Sequence, residues 1–176
     1  MDSFVAIDFE IANTRHDSAC AVGLTACSSG QVVQSRSYLI RPPGKRFTFT
    51  RIHGLRWDDV REAPTFRDLW PTLREWLAPA RFVAAHNAKF DRRVLHACCA
   101  RHRVRAVRKR FVCTVELAGA QWEVESARLP DVCRRLDIPL RHHDPASDAL
   151  ACARIVLAAE AEGWRFSDRR RKRRTA

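Results

Sequence analysis

The sequence lacks several features that mark common classes of protein. No stretch of its 176 residues is apolar over the ~18–20 residues that a membrane-spanning helix needs. No basic segment precedes the first apolar run in MDSFVAIDFE, so we predict no signal peptide. No pair of the seven cysteines has the C-x-x-C spacing of a zinc or redox motif. We therefore expect buried free thiols, a cytoplasmic location and no membrane partner.

Acidic residues are in the minority. Lys and Arg number 32 against 20 Asp and Glu, so the net charge is +12, which favours a nucleic acid over an anionic membrane as partner. Six cations lie in 101–110, RHRVRAVRKR, and six more in 169–174, RRRKRR. We predict one folded domain over 1–163 and a disordered basic tail over 164–176. The tail is either a phosphate tether or a solvated segment that maintains solubility.

Hydrophobic periodicity predicts a single α/β domain. The first three apolar runs predict antiparallel strands, and Thr65 with Asp68 resembles the capping box of a helix that Pro71 should kink or delay. Strands and helices then alternate, as in parallel crossover units. The predicted elements are strands at 4–10, 19–27, 31–40, 81–85 and 111–114, and helices from Thr65 and at 88–102, 129–136 and 145–162. Together they predict a mixed sheet flanked by helices.

Two acids interrupt the first apolar strand. Asp8 and Glu10 are two residues apart, so their side chains share one face of the strand, opposite Ile7 and Phe9. Two like charges ~7 Å apart are unfavourable without a counter-charge. A divalent metal would supply that charge; alternatively, the strand simply ends there and both carboxylates are solvated.

Two further acids are predicted in the first turns of helices. Asn87 and Asp144 are suitable N-cap residues, which places Asp91 and Asp148 four residues later, where the helix dipole alone could explain them. The four carboxylates taken together indicate more, because strand ends and helix starts line one edge of an α/β sheet. Hard oxygen ligands favour two Mg²⁺ or Mn²⁺ ions, which can clamp a phosphoryl group while a neutral histidine takes a proton from water.

Four motifs resemble those of one enzyme family. DFE at 8–10, IHGL at 52–55, HNAKFD at 86–91 and LPDVCRRLDIPLRHHDPASDA at 129–149 are similar to the motifs of the DEDDh 3′–5′ exonucleases. That family includes the proofreading epsilon subunit of bacterial DNA polymerase III and ribonuclease T. The resemblance spans roughly residues 4–157 and implies a ribonuclease H-like fold.

The resemblance implies roles for the acids and one histidine. Asp8, Glu10 and Asp148 match the ligands of the first metal, Asp8 also bridges to the second, and Asp91 holds that second ion, through water. His143 matches the general base, because the family spacing of five residues to the last aspartate selects it over the neighbouring histidine. The only tyrosine of the chain lies in the predicted hairpin, which favours this subclass over the one with a tyrosine base.

The resemblance also implies a pocket for the terminal nucleotide. Ile11 stands where family members often have threonine, which changes how the 3′-terminal sugar is held. Leu55 would stack on a base, whereas for His53 and Phe90 simple packing is an equal alternative. The full set of expected substrate-binding residues is Phe9, Ile11, His53, Leu55, His86, Asn87 and Phe90.

These inferences together predict a metal-dependent 3′–5′ exonuclease that hydrolyses single-stranded nucleic acid, preferably DNA, to nucleoside 5′-monophosphates. The cations of 101–110 and of the tail would hold the rest of the strand. Two alternatives remain open: an exoribonuclease that trims RNA, and a non-catalytic module that binds nucleic acid or a DNA polymerase.

Overall fold

A five-stranded mixed sheet forms the centre of the structure, a computed structural model that describes residues 2–167. The strand order is β3-β2-β1-β4-β5. The strands are β1 (Phe4–Ile11), β2 (Ala19–Ser28), β3 (Gln31–Leu39), β4 (Phe82–Ala85) and β5 (Arg110–Cys113). The helices are α1 (Thr50–His53), α2 (Trp57–Val60), α3 (Phe66–Leu77), α4 (Ala88–Arg101), α5 (Thr114–Gln121), α6 (Leu129–Arg135) and α7 (Pro145–Ala161).

The direction of the strands confirms the predicted fold class. β2 pairs antiparallel with both β1 and β3, whereas β4 runs parallel to β1, and β5 runs parallel to β4. The helices α3 and α4 supply the crossovers that such parallel pairs require. The result is the ribonuclease H-like α/β sheet that the motifs implied.

The alternation of side chains along β1 divides the core between the two faces of the sheet. Val5, Ile7 and Phe9 pack with residues of α3 and α4 in one cluster. Phe4 and Ala6 pack with residues of α5, α6 and α7 in the other. The face of β1 that carries Asp8 and Glu10 is therefore the face that α7 covers.

Helix α3 begins directly after Thr65 and is continuous through Pro71, so the delayed start that Pro71 suggested is wrong. Thr65 and Asp68 form the reciprocal capping box, in which each side chain accepts a hydrogen bond from the other residue's backbone N–H. Pro71 is exposed and costs one backbone hydrogen bond. The buried stripe of the helix outweighs that loss, and it comprises Phe66, Leu69, Trp70, Leu73 and Leu77.

Helices α1, α2 and α5 were not predicted, because α1 and α2 have only four residues each and α5 directly follows β5 without a turn signal. The packed domain also extends beyond the predicted boundary at residue 163. Phe166 is buried and stacks on Phe82 at a centroid distance of 4.4 Å. Most of the predicted tail, 168–176, lies outside the described residues.

The seven cysteines are free thiols, as the missing C-x-x-C spacing predicted, and all but Cys113 are buried. They fill the core as small apolar side chains. Across residues 2–167, we find no helix with both the length and the apolar character needed to cross a membrane.

Candidate active site

The site forms where β1 extends beyond its neighbour β4. The register between the two strands runs only from Phe4 to Ala6, so the end of β1 lies beyond the end of β4. Asp91, in the first turn of α4, fills the gap: its Oδ1 accepts a hydrogen bond from the backbone N–H of Phe9 at 2.9 Å. An acid that helix-dipole arguments would leave at the surface is therefore buried beside the end of β1.

Gly23 allows the start of α7 to lie directly against the sheet. It is paired with Asp8 across β1 and β2. A Cβ atom at this position would lie 1.7 Å from the carbonyl oxygen of Pro145, the first residue of α7. Because Gly23 has no side chain, the first turn of α7, which carries Asp148, can lie next to Asp8.

The N-terminus of α7 orients Asp148. Asp144 caps the helix as predicted, accepting hydrogen bonds from the backbone N–H groups of Ala146 and Ser147. Asp148 Oδ2 accepts a hydrogen bond from the backbone N–H of His143 at 3.0 Å and lies 3.0 Å from His142 Nδ1. His143 has a left-handed backbone, with φ of 68°, and its ring stacks on that of His142 at 3.8 Å. The ring of His142 and the backbone N–H of His143 therefore both contact the carboxylate of Asp148.

Burial and mutual repulsion raise the pKa of the clustered carboxyl groups. Burial is the largest cause for each of the four. The pKa of Asp8 rises well above its usual range, because the other three carboxylates add repulsion to burial. The pKa of Glu10 rises to about 8 through burial and then repulsion from Asp148 and Asp91, and that of Asp91 rises to about 7 despite its hydrogen bond from Phe9. β1, α4 and α7 thus bring the acids into one cluster.

Two carboxylate oxygens of the cluster fit a divalent cation. Asp8 Oδ2 and Asp148 Oδ1 are buried and have no hydrogen-bond partner within the described chain. A buried oxygen that carries negative charge and lacks a partner is costly, and a hard cation removes both costs. His142, His143 and Asp148 also present ligand atoms within 4.8 Å of one another. The donor set is thus suited to a divalent cation.

A cavity of about 340 Å³ adjoins the carboxylates and is lined by most of the predicted substrate-binding residues. His53 is fixed at its rim: Nε2 lies 3.2 Å from the carbonyl oxygen of Ile11, and Nδ1 accepts a hydrogen bond from the backbone N–H of Leu55. The lining includes Asp8, Phe9, Glu10, Ile11, His53, His86, Phe90, His143 and Asp148.

Two predicted substrate-binding residues do not line this cavity. Leu55 packs beside Ala12, Cys20 and Val60, and its backbone N–H holds His53, so its stacking on a base stays a prediction. Asn87 lines a neighbouring cavity of about 820 Å³; it stands at the N-cap position of α4, but its left-handed backbone leaves the side chain without a capping hydrogen bond.

Several residues that shape the site were not predicted from the sequence. Phe49 and Ile52 line the cavity, and Ile52 is 49% exposed there. Thr114 holds His86 in place through a 2.9 Å contact between Oγ1 and Nδ1. Burial lowers the pKa of His86 to about 4, so its ring is neutral at physiological pH. Only Gly23 had a signal in the sequence, as a lone glycine inside an apolar strand.

A ribonuclease H-like sheet with a cluster of buried carboxylates at one edge defines the class of protein as a nuclease-type α/β domain. A family described as exonuclease, RNase_T, matches residues 5–156. The chain belongs to this family of DEDDh 3′–5′ exonucleases, as its motifs indicated.

Curated relatives with similar sequences are much longer than this chain. It is 25% identical over 159 residues to the PolC-type DNA polymerase III of Thermotoga maritima, covering 88% of this chain and 12% of that protein. It is also 25% identical over 162 residues to the corresponding Bacillus subtilis protein, covering 89% and 11%. The chain thus spans about one eighth of the length of these relatives.

Solved structures share the fold. Exonuclease X in complex with 5′ overhanging duplex DNA superimposes with a TM-score of 0.75 at 20% identity, covering 92% of this chain and 94% of that one. The nuclease domain of 3′hExo, a DEDDh family member bound to rAMP, gives a TM-score of 0.79 at 15% identity, covering 92% and 93%.

Proposed function

We propose that this chain is a metal-dependent 3′–5′ exonuclease that hydrolyses single-stranded nucleic acid to nucleoside 5′-monophosphates. The observation that carries the proposal is the cluster of four carboxylates at the end of β1, two of whose buried oxygens lack a partner among the described residues. The adjoining cavity offers a nucleotide a place to bind beside these acids.

Asp8, Glu10 and Asp148 would hold one divalent ion, and Asp8 with Asp91 the second. Such a pair, Mg²⁺ or Mn²⁺, neutralises charge that develops on the phosphate and lowers the pKa of the attacking water. The protein contributes the rigid placement of these acids. Asp91 is held by the N–H of Phe9, and Asp148 by the N–H of His143.

His143 is suited to act as the general base. Its ring lines the cavity beside the carboxylates, and its pKa is lowered, first by partial burial and then by His142, against the opposing effect of Asp148. A lowered pKa keeps the ring neutral near pH 7, so that it can accept a proton from the attacking water. The backbone hydrogen bond to Asp148 fixes the position of the residue.

The cavity is suited to a terminal nucleotide. Phe9, Ile11 and Phe90 form an apolar wall, and His53 provides a polar group at the rim. Ile11, in the position where the family often has threonine, offers no side-chain hydroxyl to the sugar. We infer that the 3′-terminal sugar is held by backbone groups and by apolar contacts.

DNA is the preferred substrate in this proposal, and a DNA polymerase is the proposed partner. Both inferences rest on similarity to a segment of PolC-type DNA polymerase III. The free thiols of all seven cysteines support a reducing compartment, and we propose the cytoplasm.

A gel assay of end-labelled oligonucleotides tests the function. DNA and RNA strands, each with a free or a blocked 3′ end, are incubated with the full chain in EDTA, Mg²⁺ or Mn²⁺. We expect a ladder that shortens from the free 3′ end, only with metal, and faster for DNA. Labelled mononucleotides should comigrate with nucleoside 5′-monophosphate standards.

Other results of this assay would contradict separate parts of the proposed function. Faster shortening of RNA would replace the DNA preference with an RNA-trimming activity. Binding without shortening in any metal would indicate the non-catalytic module, and internal cuts in strands with blocked ends would indicate an endonuclease.

A further inference from the structure

The later part of the cationic run at 101–110, residues 104–110, leads into the end of the sheet opposite the carboxylates. The segment precedes β5, and β5 runs parallel to β4 and β1. Phe4, Phe82 and Arg110 are level across these three strands, whereas Asp8 lies four residues further along β1. This segment therefore cannot hold the nucleotide at the cavity.

A groove of about 660 Å³, here called the distal groove, is formed by this segment and one face of α3. It is lined by Trp70, Arg74, Ala78 and residues 104–109. Arg74, Arg105 and Arg108 are exposed, and none of the described residues that line the groove carries a carboxylate. The distal groove is thus an uncompensated cationic surface on the folded domain.

Backbone contacts hold the groove in shape. Lys109 Nζ donates hydrogen bonds to the carbonyl oxygens of Ala78 and Ala80, at 2.7 and 2.5 Å, and so ties the segment to the end of α3. Val104 and Val107 anchor it further by packing against the core. An anchored backbone loses less entropy than a mobile one when the arginines that it carries bind phosphates.

The end of the described chain lies on the same side of the molecule. Arg110 lies over the ring of Phe166 at 4.9 Å and donates a hydrogen bond to the carbonyl oxygen of Ser167. The sequence RRRKRR follows from residue 169. The described part of the chain therefore ends at the end of the sheet that carries the distal groove.

We propose that the distal groove binds the phosphodiester backbone of the same nucleic acid strand whose 3′ end enters the cavity. This inference rests on the proposed function for the identity and direction of the strand. At about 3.3 Å per residue and 4.8 Å between strands, Asp8 and Arg110 are about 16 Å apart across the sheet. Arg110 directly follows the lining residues of the groove, so at about 3.4 Å per stacked nucleotide the strand must extend at least about five nucleotides from the cavity to reach it.

The chemistry of the groove favours nucleic acid over an acidic protein. All three exposed cations of the lining are arginines, whose planar guanidinium groups form paired hydrogen bonds to phosphate. A phosphodiester chain supplies its charges at a regular spacing and needs no fold of its own. The consequence is affinity that depends on strand length, with strands shorter than about five nucleotides bound by the cavity alone.

The test compares two double variants of the full chain that remove the same charge. Arg105→Gln with Arg108→Gln neutralises the groove, and Arg36→Gln with Arg154→Gln is the control, on the side of the sheet formed by β3 and α7. Binding of a DNA strand of about 20 nucleotides and of one of about three is measured by fluorescence anisotropy in EDTA over a range of salt. Thermal unfolding checks that all proteins are folded.

The groove variant should raise the Kd for the long strand roughly tenfold and reduce the slope of log K against log salt by about 1.4. It should leave the short strand unaffected, and the control should change neither. Equal weakening by both double variants, or no change with the long strand, would overturn the proposal. So would displacement of the long strand by polyglutamate as readily as by DNA of equal charge, because the groove would then recognise any polyanion.

Metal-dependent cleavage of the short strand separates this inference from the proposed function. The short strand reaches only the cavity, so the groove variant should degrade it at the rate of the unmodified chain. If neither protein degrades it in Mg²⁺ or Mn²⁺, the proposed function fails. The length-dependent binding measured in EDTA still decides whether the groove binds nucleic acid.

Discussion

Like charges are clustered at both ends of the sheet, but they are exposed to solvent at one end and buried at the other. At the distal groove, Arg74, Arg105 and Arg108 are exposed to water, which screens their repulsion. At the end of β1, Asp91 and Asp148 are buried, and repulsion within their cluster raises the pKa of Asp8 and of Glu10 further than burial alone does. The exposed arginines of the groove are stable without a ligand and are free to bind a polyanion. The buried carboxylates need a bound cation to offset their repulsion.

The two ends also differ in how the chain builds them. One continuous segment supplies most of the groove, so its charge is evident in the sequence. The carboxylates come from β1, α4 and α7, which only the topology brings together. The charges of the distal groove are therefore evident from the sequence, whereas the carboxylate cluster is identified only by the burial that the structure shows.

The largest effect is expected from removing a carboxylate that belongs to both proposed metal sites. Asp8→Asn should lower nuclease turnover at least about 10³-fold, because a divalent ion loses its shared ligand. The fold should persist, since the change also removes repulsion from the cluster. Asp58→Asn, the same change at an exposed carboxylate of α2, is the control and should retain full activity. Turnover of Asp8→Asn equal to that of the control would remove the two-metal mechanism.

The next effect distinguishes two adjacent histidines. His143→Ala should reduce turnover about 10²–10⁴-fold, as expected for loss of a general base. The rate of the unmodified enzyme should fall at acid pH as that base becomes protonated, and His143→Ala should abolish this dependence. His142→Ala is the comparison, because it removes a ring that contacts the same Asp148 oxygen. A larger loss in His142→Ala, or a flat rate between about pH 5 and 8 in the unmodified enzyme, would contradict the assignment.

A smaller effect tests how α7 places its acid. Gly23→Ala forces a Cβ into the carbonyl of Pro145 and should displace Asp148, reducing turnover about 10²-fold and stability by about 1–3 kcal/mol. Gly119→Ala is the matched control: a Cβ added there would have no heavy atom within 4 Å, and alanine in a helix should stabilise the protein by about 0.5–1 kcal/mol. Denaturant titration and kcat measure the two effects. Unchanged turnover in Gly23→Ala would show that the close approach is not needed.

The smallest effect concerns stability. The raised pKa values mean that the metal-free native state binds more protons than the unfolded chain between about pH 4 and the values near 7 and 8 of Asp91 and Glu10. The free energy of unfolding in EDTA should therefore fall as pH rises through this window, lowering the melting temperature by about 5 °C. Mg²⁺ should restore the loss at pH 8 and have little effect at pH 5. A melting temperature in EDTA that rises across the window would contradict the buried repulsion.

Local patterns were sufficient for much of the fold. Strands β1 to β3 and helix α7 follow from apolar runs and from the Asp144–Pro145 start signal. The period of two along β1 correctly put Asp8 and Glu10 on one face. Such features depend on a few neighbouring residues, which is why the sequence alone reveals them.

Features that depend on contacts across the chain were not predictable. The 82-residue separation between Phe9 and Asp91 hides the hydrogen bond that buries this acid. The packing of Leu55 against Ala12 and Cys20 likewise joins residues that are far apart in the sequence. Phe166 joins the core by stacking on Phe82, a contact that the mostly polar sequence of residues 164–176 does not indicate.

If the buried acids form a site for divalent cations, diffraction from crystals grown with Mn²⁺ and a nucleoside 5′-monophosphate will reveal it. We expect anomalous density in contact with Asp8 and Asp148, with the nucleotide in the cavity beside Phe9 and His53. Crystals that show no such density, with the carboxylates turned apart or protonated at neutral pH, would contradict it.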